Sequence, residues 1–225
     1  MDWSKSKWRL TGLVSVLYLL IPFTLGVQSD VEIRDAMTFL FNWLIAASAV
    51  ALLIRKLTVR NMWDLTVIGM FVLYLFILYQ LVSYIPLSFY LSDGYVGDWY
   101  IMWERFNLIP FGTIKNAVLN PLNVDYVIQS GGNLVLLLPF GFVLLKFGLT
   151  STIGRTAVAC FLISCSIEGF QFVLNLLASG HTDIKASGKS RAVDIDDVIL
   201  NTLGGYLGAW LCEKISRIAA GVNKN

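Results

Sequence analysis

Six long apolar runs, separated by short clusters of charge, set the plan of the chain. They cover residues 10–27, 36–54, 64–85, 131–146, 154–178 and 194–213. Runs of about 16–25 residues with few charges have the length of membrane-crossing helices. They are continuous rather than alternating, which excludes a barrel. The pattern therefore predicts an all-α integral membrane protein with about six transmembrane helices. The first run follows Lys5, Lys7 and Arg9, as a signal peptide would, but no small-residue cleavage site follows it. A retained helix is expected, with cleavage after Ser29 as the alternative. Between the third and fourth helices, residues 87–130 carry Trp99, Tyr100, Ile101, Met102, Trp103, Phe106, Leu108, Ile109 and Phe111. Such a stretch reads as an amphipathic or re-entrant outer loop. The expected division is a three-helix membrane segment at 1–102 and a second membrane domain at 103–225.

Composition agrees with this plan. Hydrophobic residues make up 56% of the 225 and charged ones 14%, against about 25% charged in soluble domains. A net charge of +2 gives no footprint for nucleic acid. The placement of charge carries more information. With six helices and the N-terminus inside, 11 of the 17 Lys and Arg residues fall in cytoplasmic segments. This predicts a cell-membrane protein with both termini cytoplasmic, and an outer face holding residues 87–130 and 179–193. Cys160, Cys165 and Cys212 lie inside apolar runs and read as small core hydrophobes. The single histidine, His181, reads as a solvated loop residue, with a catalytic role as the weaker reading.

The candidate chemistry lies in polar residues that interrupt apolar helices. Arg191, Asp194 and Asp197 lead directly into the sixth run. At 100° per residue Asp194, Asp197, Asn201 and Gly208 share one face. Asp194 can cap the helix, and Gly204 and Gly208 can form a packing face, so capping and packing alone are a competing reading. Glu168 stands mid-helix in the fifth run, with Gln171 at i+3, about 15 Å from the outer end. A carboxylate at that depth is costly unless paired, and marks a functional site by default. Asn133 interrupts the fourth run. The segment containing Arg105 and Asn107, broken by Pro110 and Gly112, is expected to fold back between the fourth, fifth and sixth helices. There Arg105 is expected to approach Glu168, and Asn107 to join Asn133, Gln171 or Asn201.

Four blocks, in this order and spacing, resemble the VanZ-like membrane protein family. They are Arg105-Phe-Asn-Leu-Ile-Pro-Phe111, Gly132-Asn-Leu-Val-Leu-Leu-Leu-Pro-Phe-Gly141, Ser166-Ile-Glu-Gly-Phe-Gln171, and Arg191-x-x-Asp-x-Asp-Asp-x-x-x-Asn-x-x-Gly-Gly205. The resemblance covers about residues 103–212. Founding members of that family are associated with resistance to the glycopeptide teicoplanin, so the resemblance implies a role in a bacterial envelope and supplies no reaction.

The expected function is binding of an amphiphilic ligand at an outward-facing polar pocket, contributing to glycopeptide resistance. The ligand would be a lipid-linked cell-wall precursor, a lipid headgroup or a lipoglycopeptide, and membrane lipids are the expected partners. The alternative is an intramembrane enzyme modifying a lipid headgroup, in which Asp194, Asp196, Asp197 and Glu168 hold a divalent cation or act as acid and base. Against it, no activated Ser or Cys nucleophile is evident. Transport has less support, because no inverted repeat is visible. The sequence assigns no cofactor, metal or catalytic residue.

Overall fold

The structure, a computed structural model, describes residues 2–25, 33–120, 122, 124–182 and 192–222. Its elements are α1 (Trp3–Leu25), α2 (Ile33–Arg55), α3 (Met62–Val82), α4 (Leu87–Tyr90), a 3₁₀ turn (Trp103–Arg105), β1 (Phe106–Asn107), α5 (Gly112–Leu119), α6 (Val124–Leu136), α7 (Leu138–Lys146), α8 (Ile153–Ala178), β2 (Val193–Asp194) and α9 (Ile195–Val222). Among the described residues the protein is mainly helical, with a two-residue parallel pairing of β1 with β2 and an isolated antiparallel bridge between Tyr95 and His181. Among the described residues, four stretches are long and apolar enough to cross a membrane: Ile33–Arg55, Met62–Tyr90, Val124–Lys146 and Ile153–Ala178. The other two predicted spans, in α1 and α9, are helical but fall outside this set. Of these two, α9 carries five charged residues, Asp196, Asp197, Glu213, Lys214 and Arg217.

Contacts divide the chain into two compact units, one of residues 1–101 and 174–190, the other of residues 102–173 and 191–225. In the first, α3 packs against α1 and α2. Its core includes Ile54, Leu57, Ile68, Phe71, Val72 and Phe76. Asn61 caps α3 by accepting the Asp64 N–H at 2.9 Å, and Asp64 accepts the Arg60 N–H at 3.0 Å. This reciprocal pairing fixes where α3 begins. Lys7 is buried and donates to the carbonyls of Ile54 (3.0 Å) and Leu57 (2.5 Å). A cation thus meets carbonyls at the C-terminal end of α2. Asn42 joins α2 to the end of α3. Its amide donates to Thr38 O and Ile85 O, and its oxygen accepts from Tyr79 Oη and Ile85 N, all at 2.8 Å.

His181 also belongs to this unit and is not freely solvated as expected. Its ring stacks on Phe89 at 4.3 Å, and Nε2 lies 3.0 Å from Ser92 Oγ. The Ser92 hydroxyl has one proton, and Phe89 O accepts it at 2.7 Å. The pair reads as a loop pin rather than an activated nucleophile.

In the second unit α9 packs along α6 and α7. The predicted fourth helix begins earlier than expected, at Val124, and breaks at Leu137. Pro139 lacks the N–H that would continue the ladder and lies in the first turn of α7. Glycines set the approach of the helices. A Cβ added at Gly204 would land on the carbonyl oxygen of Leu134, at Gly208 on that of Leu138, and at Gly141 on that of Gly205. The backbones touch here, as small-residue interfaces in membranes allow.

Candidate functional site

Two helix N-termini, those of α5 and α9, are brought together in the second unit by the short β1–β2 pairing, in which Phe106 faces Val193 and Asn107 faces Asp194. The first N–H groups of any helix lack intrahelical partners and carry partial positive charge. Carboxylates of this chain meet both ends. Asp196 is wholly buried and accepts the backbone N–H groups of Phe111 (2.5 Å), Thr113 (2.7 Å) and Ile114 (3.2 Å). It therefore caps α5 from more than 80 residues away, a service that Phe111, in the left-handed region at φ 67°, does not perform with its own side chain. Asp194 caps its own helix, accepting the Asp196 N–H at 2.9 Å. It also accepts from the Asn107 amide (3.0 Å) and the Thr113 hydroxyl (2.7 Å).

Glu168 of α8 is the third carboxylate, and it accepts the Asp194 N–H at 3.0 Å. This contact corrects the sequence expectation. The start of the last helix lies level with Glu168, ten residues before α8 ends, rather than well above it. No ion pair joins Arg105 to Glu168 among the described residues, and Arg105 is only half-buried. Residues 106–114 instead dock through Asn107, Thr113 and backbone N–H groups onto Asp194 and Asp196. Asn107 accordingly bonds to Asp194 rather than to Asn133, Gln171 or Asn201. A partner needed in order to bury Glu168 is thus a backbone amide at a helix start, a group that sequence inspection for arginines overlooks.

One turn further along α9, Asp197 accepts a hydrogen bond from the Asn133 amide of α6. Asp197 is half-buried, the most accessible of the four carboxylates. A turn deeper, the buried Asn201 amide donates to Ser164 Oγ at 3.0 Å, and Ser164 precedes Glu168 by one turn of α8. The Asn201 Oδ1 atom has no hydrogen-bond partner among the described residues. Ser130 Oγ, three residues before Asn133 on α6, is in the same condition. Gln171 is buried on α8, on the same helix face as Glu168. Arg191 lies outside the described residues.

Of the residues singled out from sequence, Asn107, Asp194 and Glu168 are linked through hydrogen bonds, Asn133 pairs with Asp197, and Asn201 bonds to Ser164, all within one unit. Asp196, singled out only for the enzyme alternative, lies with them, as do Thr113 and Ser164, which were not among the candidates. Asp196 adjoins two candidate aspartates, but only the α5 N-terminus gives it a role, and that proximity has no local sequence signal. No group of three or more His, Cys, Asp or Glu side chains among the described residues is arranged to hold a metal ion.

Long apolar helices around a buried carboxylate–amide network define the class: a helical integral membrane protein with a polar centre. The VanZ/LLP1 family profile matches residues 67–217. The match takes in α6–α9 and all the residues of the network, and the chain belongs to that family, whose link at family level is to antibiotic resistance. Searches of curated proteins and of solved structures found no match.

Proposed function

We propose that this chain is a cell-envelope membrane protein that binds an amphiphilic ligand through the Asn133–Asp197–Glu168 region and thereby contributes to glycopeptide resistance. The observation that carries the reading is the half-buried Asp197 in front of a buried Glu168 and an Asn201 oxygen with no partner. Carboxylates that merely capped helices would be saturated, as Asp194 and Asp196 are. Polar groups with capacity left over, in a membrane helix, default to a ligand or substrate role. The ligand class comprises lipid headgroups, lipid-linked wall precursors and lipoglycopeptides, and the acyl chain of each would remain among the lipids. In this reading all six helices cross the membrane, both termini are cytoplasmic, and the site opens on the outer side.

Two measurements test it. Protein extracted in its native lipid should retain one headgroup class above its share of the membrane, and Asp197→Asn should lose that enrichment. Identical lipid profiles would overturn the binding reading. For orientation, a cysteine at Asp93 should react with an impermeant thiol reagent in intact cells and one at Arg60 should not. The reverse pattern would place the site on the cytoplasmic side.

A further inference from the structure

Most donors around this site are occupied, and the Ser130 hydroxyl and the Asn201 oxygen are the buried side-chain polar atoms left without a partner among the described residues. The N–H groups at the start of α5 are taken by Asp196, and those at the start of α9 by Asp194 and Glu168. The Asn107 amide and Thr113 hydroxyl go to Asp194, the Asn133 amide to Asp197, and the Asn201 amide to Ser164. Both helix ends, which would otherwise attract an anion, already face a carboxylate. Against this stands Asn201 Oδ1, in a residue 1% exposed, with no partner among the described residues. It is an oxygen that can only accept.

Its position ties it to the carboxylates. Asn201 follows Asp197 by one turn on α9, and its amide reaches Ser164, one turn before Glu168 on α8. Ser164 and Glu168 on α8 thus bond to Asn201 and Asp194 on α9, and Asp197, between those two on α9, bonds to Asn133 on α6. Formal charge points the same way. Glu168, Asp194, Asp196 and Asp197 formally contribute four negative charges. A phosphate brought here would meet like charge, whereas a cation would meet opposite charge and an open acceptor. With no cluster of three ionisable donors among the described residues, the set suits a single positive charge better than a divalent ion.

The geometry points to a seat for a monovalent cation at Asp197, Glu168 and Asn201, filled by the ammonium group of an amphiphile or by a free ion of the same charge. This inference rests on the ligand-binding reading above and narrows its headgroup to a positive one.

The test uses the full-length protein in phosphatidylcholine vesicles. The probes are dodecylammonium, dodecanol and dodecyl phosphate, with separate titrations of NaCl and KCl, and the readouts are saturable binding and thermal stabilisation. Dodecylammonium should bind, and Asp197→Asn and Asn201→Leu should each weaken it about tenfold or more, the usual loss of a charge-assisted hydrogen bond. Asn201→Asp, which keeps an acceptor, should retain binding, so the test survives a poorly folded Asn201→Leu. The same residue dependence with Na⁺ or K⁺ in place of the amphiphile would support the seat and identify the free ion as its source. Equal binding of dodecyl phosphate or dodecanol, with the same residue dependence, would overturn the cationic assignment and leave the amphiphile site standing. No residue-dependent binding of any probe would overturn both.

Discussion

Two buried asparagines, one in each unit, show what separates a structural polar group from one with capacity to spare. Asn42 is 2% exposed and makes four hydrogen bonds, two through its amide and two through its oxygen. Asn201 is 1% exposed and, among the described residues, bonds through its amide alone. An unpaired buried acceptor costs about 1–3 kcal/mol, so burial by itself does not explain Asn201. Asn42 ties α2 to the end of α3 with full use of its groups. Asn201 lies a turn from carboxylates, in the unit where backbones touch and side-chain rearrangement is most restricted.

The widest break in this comparison should come from the glycines. Gly208→Ala puts a methyl group onto the Leu138 carbonyl, which cannot move without parting α7 from α9. Gly69→Ala in the first unit meets only the Leu10 side chain, at 2.8 Å. The first should remove folded protein from the membrane, and the second should leave its abundance near normal, as measured by detergent-resistant yield. Next, Asn42→Leu strands the Tyr79 hydroxyl and both polar groups of Ile85. Unfolding in denaturant should register a loss of about 3–5 kcal/mol. Asp196→Asn should weaken the cap on α5 by about 1–2 kcal/mol, seen as faster hydrogen exchange at the Thr113 and Ile114 amides. The smallest effect on stability belongs to Asn201→Leu, about 1 kcal/mol or less, because it removes an unpaired oxygen along with one bond. Its ligand retention should nevertheless be lost. A cost for Asn201→Leu as large as that for Asn42→Leu would erase the distinction between them.

Much of this was legible in the chain itself. The four strongest apolar runs, the Asp194 cap and the packing role of Gly204 and Gly208 follow from periodicity and local chemistry, and they reappear in the structure. The VanZ-like motif blocks point to the family that the profile match establishes. What the sequence concealed is non-local. Pairing Glu168 with Arg105 follows from charge, yet a helix N-terminus offers backbone amides that are invisible in a list of side chains. Asp196 reads as one of three neighbouring acids until α5, remote in sequence, supplies the groups it caps. The break at Leu137 was carried by Pro139, which the long hydrophobic run around it masked.

The capping of α5 by Asp196 has a consequence in time. The bond from Thr113 spans 83 residues, so α5 leaves the ribosome long before its cap exists, by roughly 4–16 s at 5–20 residues per second. For that interval the start of α5 and the strand at Phe106–Asn107 lack their native partners, while the chain through α8 is already being delivered to the bilayer. The polar centre therefore cannot close until α9's first turn has been translated. A chain ending before Asp196 would present those unpaired amides to quality-control proteases, whereas one ending shortly after α9 would hide them.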